Sequence, residues 1–126
     1  MRYLLDTQYL IWFMHGDTDR ISRKIMQLFE EEAEKFGISI ISLWEMTIKK
    51  SLDKLEIDDS YLHIAQGLDV PILSVTIQHL HSLSALPHYH KDPFDRLLVA
   101  QALHENLTLI TTDARLKDYG AKIILA

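Results

Sequence analysis

The sequence contains no cysteine. Disulfides and thiolate metal sites are therefore excluded, and the chain fits a reducing compartment such as the cytoplasm. No uninterrupted apolar run approaches the ~18–20 residues of a membrane span. The apolar opening, MRYLLDTQYLIWFMHGD, carries an aspartate at its centre and no small-residue cleavage site. It is expected to be a folded strand and helix rather than a signal peptide. Net positive charge is missing as well: the formal balance is −5. A chain that held nucleic acid on a broad basic surface would usually be basic, so any such chemistry here must be local, through a metal ion and a few cations. No G-x-S-x-G elbow is present, and with no cysteine either, no covalent nucleophile stands out. Repeats, low-complexity tracts and linkers are absent too.

What is present suits one compact domain over residues 1–126, 48% hydrophobic and 25% charged. Short β-like runs alternate with longer helical ones. RYLL (2–5) predicts an apolar strand, and Asp6 and Thr7 stand where the next helix starts. The run 21–36 predicts an amphipathic helix with Ile21, Ile25, Leu28, Phe29 and Phe36 near one face, ended by Gly37. ISII (38–41) predicts a buried strand, followed by a helix over 42–52 opened by Ser42. Further helices are expected over 60–68, over 76–86 with Thr76 as cap, and over about 93–105. Strands are expected at 71–75, 107–112 and 122–125, with a short helical turn at 114–119. This alternation predicts an α/β fold with a mainly parallel sheet, whose ligand site lies outside the carboxyl ends of the strands.

Four acids fall towards that edge. Asp6 ends the first strand and Asp113 ends LTLITT. Glu45 and Asp95 lie in the first turns of two helices. Each also reads as capping chemistry. Ser42-x-x-Glu45 fits a capping box, and Asp92-Pro93-x-Asp95 fits a helix start. Gathered together, the acids would repel: at ~4 Å and an effective dielectric of ~20, each charged pair costs about 4 kcal/mol. A fold that collects them either keeps some protonated or binds a dication. Oxygen donors without thiolates point to Mg²⁺ or Mn²⁺, and such a site suits phosphodiester hydrolysis.

Four stretches carry a family likeness: LLDT (4–7), SLWE (42–45), LPHYHKDPFDRLLVAQA (86–102) and LITTDARLKDYG (109–120). In order and spacing they resemble the PIN-domain ribonucleases, specifically the VapC-like toxins of bacterial and archaeal toxin–antitoxin pairs. The resemblance implies a three-layer α/β/α sandwich. It implies that Asp6, Glu45, Asp95 and Asp113 hold one or two Mg²⁺ or Mn²⁺ ions, which activate water to cleave RNA. It implies a homodimer, inhibited by a cognate antitoxin whose peptide lies in the active-site groove. Gln8 departs from the family pattern, which more often has a small polar residue or histidine after the Asp-Thr pair.

Other residues keep two readings. Thr7 and Thr112 either orient the acids or a metal-bound water, or cap. Asp92 starts its helix. Lys49 either pairs with Glu45 across a helical turn or contacts RNA phosphate. Arg96 is a second candidate for that contact, or anchors Asp92 or an acidic group of the antitoxin. HYH (88–90) with Asp92 suggests zinc only weakly, since no second ligand pair is evident; a polar loop is the plainer reading. His79 and His81 receive no chemistry. Trp12, Phe13 and Trp44 read as core or dimer-interface residues. Beside the nuclease stand two alternatives: a catalytically silent binding module acting in a DNA-bound regulatory complex, and a nuclease of DNA or structured RNA.

Overall fold

A computed structural model describes residues 1–125. The chain runs β1 (Tyr3–Leu5), α1 (Thr7–His15), α2 (Arg23–Glu32), β2 (Phe36–Ser39), α3 (Ile40–Ser51), α4 (Tyr61–Gly67), β3 (Ile72–Leu73), α5 (Ile77–Ser84), α6 (Pro93–Glu105), β4 (Thr108–Thr111) and β5 (Lys122–Leu125). Short 3-10 turns at Thr18–Arg20, Ala33–Lys35 and Ala114–Tyr119 complete it. The strands form one parallel sheet, ordered β3–β2–β1–β4–β5.

β1 is central and wholly buried, which is why it reads as a continuous apolar run: an interior parallel strand is covered on both faces. Its side chains alternate. Tyr3 and Leu5 enter a core built with Tyr9 and Leu10 of α1, Ile25 of α2 and Ala65 of α4. Leu4 enters the opposite core with Leu98, Val99 and Ala102 of α6, and with Leu116 and Tyr119. α3 serves both, sending Leu43 and Met46 to the first core and Ile41 to the second. The result is the expected three-layer α/β/α sandwich around a parallel sheet.

The structure moves two predicted boundaries. The second helix stops at Glu32, and Phe36 and Gly37 belong to β2. Phe36 pairs with Tyr3 in register, and its ring stacks 4.0 Å from Phe29 and lies 4.9 Å from Tyr3. Ladder pairing and ring burial outweigh glycine's local stop signal. Gly37 has a different use, since the Met1 side chain occupies the space a Cβ would need.

The second correction bears on the site. β2 ends at Ser39, which caps α3 by accepting the Ile41 N–H at 3.0 Å. Ser42 is thus inside α3, the Ser42–Glu45 capping box does not form, and Glu45 sits in the second turn rather than the first. The caps on α5 and α6 fall as expected. Thr76 accepts from the His79 N–H. Asp92 accepts from the N–H groups of Phe94 and Asp95 at 2.8 and 3.0 Å, with Pro93 at the first helical position.

Candidate active site

The sheet builds outward from β1 to β2 and β3, then crosses back to lay β4 on the other side of β1. Such a reversal leaves a crevice at the carboxyl ends of the flanking strands, the usual ligand position in open parallel sheets. Asp6 follows β1 directly and Asp113 lies just beyond β4. α3 and α6 bring Glu45 and Asp95 to the same place. All four acids, with Asp92, line one cleft of roughly 210 Å³, beside Thr7, Lys49 and Thr112.

Each acid is held differently. Asp6, 8% exposed, caps α1 by accepting the Tyr9 N–H at 3.0 Å. Burial pushes its carboxyl up, opposed by hydrogen bonds from the Thr111 side chain and the Tyr9 and Thr112 N–H groups. Glu45, 5% exposed, accepts the Thr7 hydroxyl on Oε1 at 2.8 Å and Lys49 on Oε2 at 2.5 Å. The Thr7 hydroxyl also lies 3.1 Å from that of Ser42. Asp95 is pushed up to about 7, first by burial and then by the neighbouring Asp92 and Glu45 charges, against a smaller opposite pull from His90. Asp113 goes the other way. Arg115 grips it with Nε at 2.9 Å and Nη2 at 2.8 Å, and His90 reaches it at 3.0 Å, so its carboxyl is held well below the usual range.

The cleft therefore gathers five carboxylates against two formal cations, Lys49 and Arg115. Asp95 responds to burial first and to this excess negative charge second. The donors are oxygens, with the His90 imidazole adjacent. Among the described residues, ligand atoms of His90, Asp95 and Asp113 lie within 4.8 Å of one another, as a metal set would. His88 does not join them, so the HYH–Asp92 zinc set is not assembled.

Three placements sharpen the sequence reading. Arg96 lies outside the cleft lining and donates from Nη2 to the Leu86 carbonyl at 3.2 Å. The hydroxyl that steadies Asp6 is Thr111's, whereas Thr112 contributes its backbone N–H. His90, read as part of a polar loop, is buried against Asp113; no spacing in the sequence marks it, because its partner lies 23 residues on, beyond the end of β4. Trp12 and Phe13 pack against the core, as expected of core residues, while Trp44 is 52% exposed and meets Phe94 edge-on.

Fold and cleft together define a parallel α/β protein with an acidic, cation-seeking centre at its topological switch point. The PIN-domain profile matches residues 3–122, and the chain belongs to the PIN-domain family, the nuclease family that its four motifs resemble. A VapBC2 structure from Rickettsia felis, bound to a promoter DNA fragment, is similar with a TM-score of 0.75 and 18% identity, covering 99% of this chain and 98% of that one. DNA-bound VapBC from Salmonella typhimurium gives 0.73 and 19%, over 98% and 97%. A toxin–antitoxin complex from Klebsiella pneumoniae gives 0.68 and 22%, over 97% and 95%. No curated protein matches the chain in a sequence comparison.

Proposed function

We propose that the protein is a metal-dependent endoribonuclease and the toxin of a toxin–antitoxin pair. The observation that carries this reading is the cluster of five carboxylates on one cleft, with Asp95 pushed up to about 7 by burial and its acidic neighbours. A dication relieves such repulsion, and the oxygen donors suit Mg²⁺ or Mn²⁺. Asp6, Glu45, Asp95 and Asp113 would hold it. When bound, the ion lowers the pKa of water and offsets charge developing on a phosphodiester.

The chain's own residues prepare the centre. Thr7 fixes one oxygen of Glu45 and Lys49 the other. Asp92 fixes the start of α6 and thereby the position of Asp95. Thr111 and the Thr112 N–H fix Asp6. A second cleft of roughly 330 Å³ shares Gln8, Ile11 and Lys49 with the acidic one and adds Arg20 and Lys54. An RNA strand leaving the acids would meet phosphate-binding cations there, which is how an acidic protein can hold RNA locally. Arg96 lies outside both clefts, so its proposed contact is with an antitoxin.

The likeness to toxin–antitoxin complexes supports a cognate antitoxin as partner; homodimerisation and a cytoplasmic site of action belong to the same reading. No helix among the described residues is long and apolar enough to cross a membrane. A silent module in a DNA-bound regulatory complex is the second reading, favoured by the DNA in two of those relatives' structures. The complete set of acids speaks against it.

The test is cleavage of total cellular RNA by antitoxin-free protein in Mg²⁺ or Mn²⁺, with Asp95→Asn as comparison and single-stranded DNA in parallel. RNA cleavage that requires metal and is lost in the variant is expected. Equal cleavage by the variant would remove Asp95 from the centre. Partner binding without metal-dependent cleavage of any RNA would establish the silent module.

A further inference from the structure

The proposed function gives His90 no role. We propose that it is a positioning residue of the acidic centre, a fixed Nε2–H donor that ties Asp113 to the loop entering α6, and is not itself a metal ligand. The proposal rests on the metal-site reading above and names how one of its acids is set.

The side chain is 8% exposed. Its Nδ1 accepts the backbone N–H of Asp92 at 3.0 Å, and a nitrogen that accepts carries no proton. The ring proton is therefore on Nε2. There it lies 3.0 Å from Oδ2 of Asp113 and 3.7 Å from Oδ2 of Asp95. An Nε2–H has no lone pair to give, so His90 cannot ligate in this tautomer, although its distances to Asp95 and Asp113 are those of a ligand set. Moving the proton to Nδ1 would free Nε2 but set two donors against each other at the Asp92 N–H. That N–H belongs to the residue that caps α6, so the switch would disturb the helix start that carries Asp95.

The backbone of His90 adds a second tie. Its N–H donates to the Tyr119 hydroxyl at 2.9 Å, in the turn that follows Asp113. Ring and backbone together join the approach to α6 to the segment leaving β4. Asp95 and Asp113 arrive on those two pieces, and each is negative when ionised. A buried donor beside both sets their spacing. Arg115 also grips Asp113, but its side chain is 72% exposed, so His90 is the constrained partner of the two. Outer partners of this kind change metal affinity by about 10–100-fold when removed.

The experiment combines imidazole ¹⁵N NMR of the full chain, before and after saturation with Mg²⁺, with Mg²⁺ calorimetry on wild type, His90→Gln and His90→Ala. His90→Gln identifies the His90 signals and keeps an N–H donor near the Nε2 position. The expected result is the Nε2–H tautomer in both states, near-wild-type Mg²⁺ affinity for His90→Gln, and affinity about 10–100-fold weaker for His90→Ala. Loss of the Nε2 proton on adding Mg²⁺ would make His90 a ligand and overturn the proposal. Equal losses in the two folded variants would overturn it also, as would wild-type affinity in His90→Ala. A wild-type chain that binds no Mg²⁺ or Mn²⁺ would instead overturn the metal-site reading itself, and the positioning role with it.

Discussion

His79, in the first turn of α5, and His90, ahead of α6, are held in the same way. The Nδ1 of His79 accepts the Thr76 N–H at 3.1 Å, and its Nε2 meets Glu105 at 2.8 Å. The Nδ1 of His90 accepts the Asp92 N–H at 3.0 Å, and its Nε2 meets Asp113 at 3.0 Å. Both rings sit beside a helix start and both reach a carboxylate from another element. The surroundings differ. His79 is fully buried and lies 3.4 Å from Gln101, whose own amide accepts from Ser39, so its neighbourhood is a closed polar tie between α5, α6 and the start of α3. Asp113, the carboxylate that His90 reaches, lines a cleft that collects four further acids. One local construction thus braces the fold in one place and stands at a centre of unbalanced charge in the other.

The largest effect should come from making the same change in both pairs. Asp113→Asn should reduce metal-dependent RNA cleavage to background, whereas Glu105→Gln should leave it near wild type; assays at matched folded concentration decide. Next comes pH. Folded Asp95 holds its proton up to about 7, while unfolded it lets go near ~4. The folded state therefore binds more protons between those values, and metal-free stability falls as pH rises through that window. Asp95→Asn should reduce this slope, leaving the smaller part that Asp6 contributes in the same sense, and be more stable than wild type at pH 8 without metal, by on the order of a few kcal/mol in denaturant titrations. Saturating Mg²⁺ should reverse the ranking. Asp113 contributes in the opposite sense: its Arg115 and His90 contacts stabilise above ~4 and are lost in stronger acid.

His79→Ala should act on the other member of the pair. Loss of a buried ring and of its hydrogen bonds should lower unfolding stability by about 2–3 kcal/mol, while cleavage per folded molecule stays near wild type. The smallest effect sits beyond both histidines. Arg20→Ala with Lys54→Ala, in an Asp95→Asn background, should flatten the salt dependence of single-stranded RNA binding by about 1.4 in log–log slope, from two lost phosphate contacts.

Much of this was legible in the sequence because the relevant signals are local. Asp92-Pro93 marks the start of α6 through capping chemistry alone, and the helix runs over the expected residues. Thr76 caps α5 for the same reason. Asp6 and Asp113 are legible as strand exits and Asp95 as a helix start, since a parallel sheet turns chain order into position; Glu45 reaches the same cleft from the second turn of α3. What failed was decided by distant contacts. Phe36 joins β2 because Tyr3 pairs with it. Ser39 displaces Ser42 as the cap of α3 because the strand ends two residues early, and Ser39 is then held by Gln101 from α6. His90 and Thr111 act on acids delivered by other elements, and nothing in their neighbours along the chain says so.

The sheet order also sets a schedule. Of the strands, β1 is made first and stands in the middle, and Tyr3 finds one partner in Phe36 and the other only in Thr108. A ribosome adds ~5–20 residues per second, so the innermost strand waits seconds for its second neighbour. Asp6 waits as long for Asp113. Throughout that interval the growing polypeptide carries at most three of its four acids and an unmatched centre. Asp113 joins last of the four, so the acidic cleft is whole only after β4 has been made.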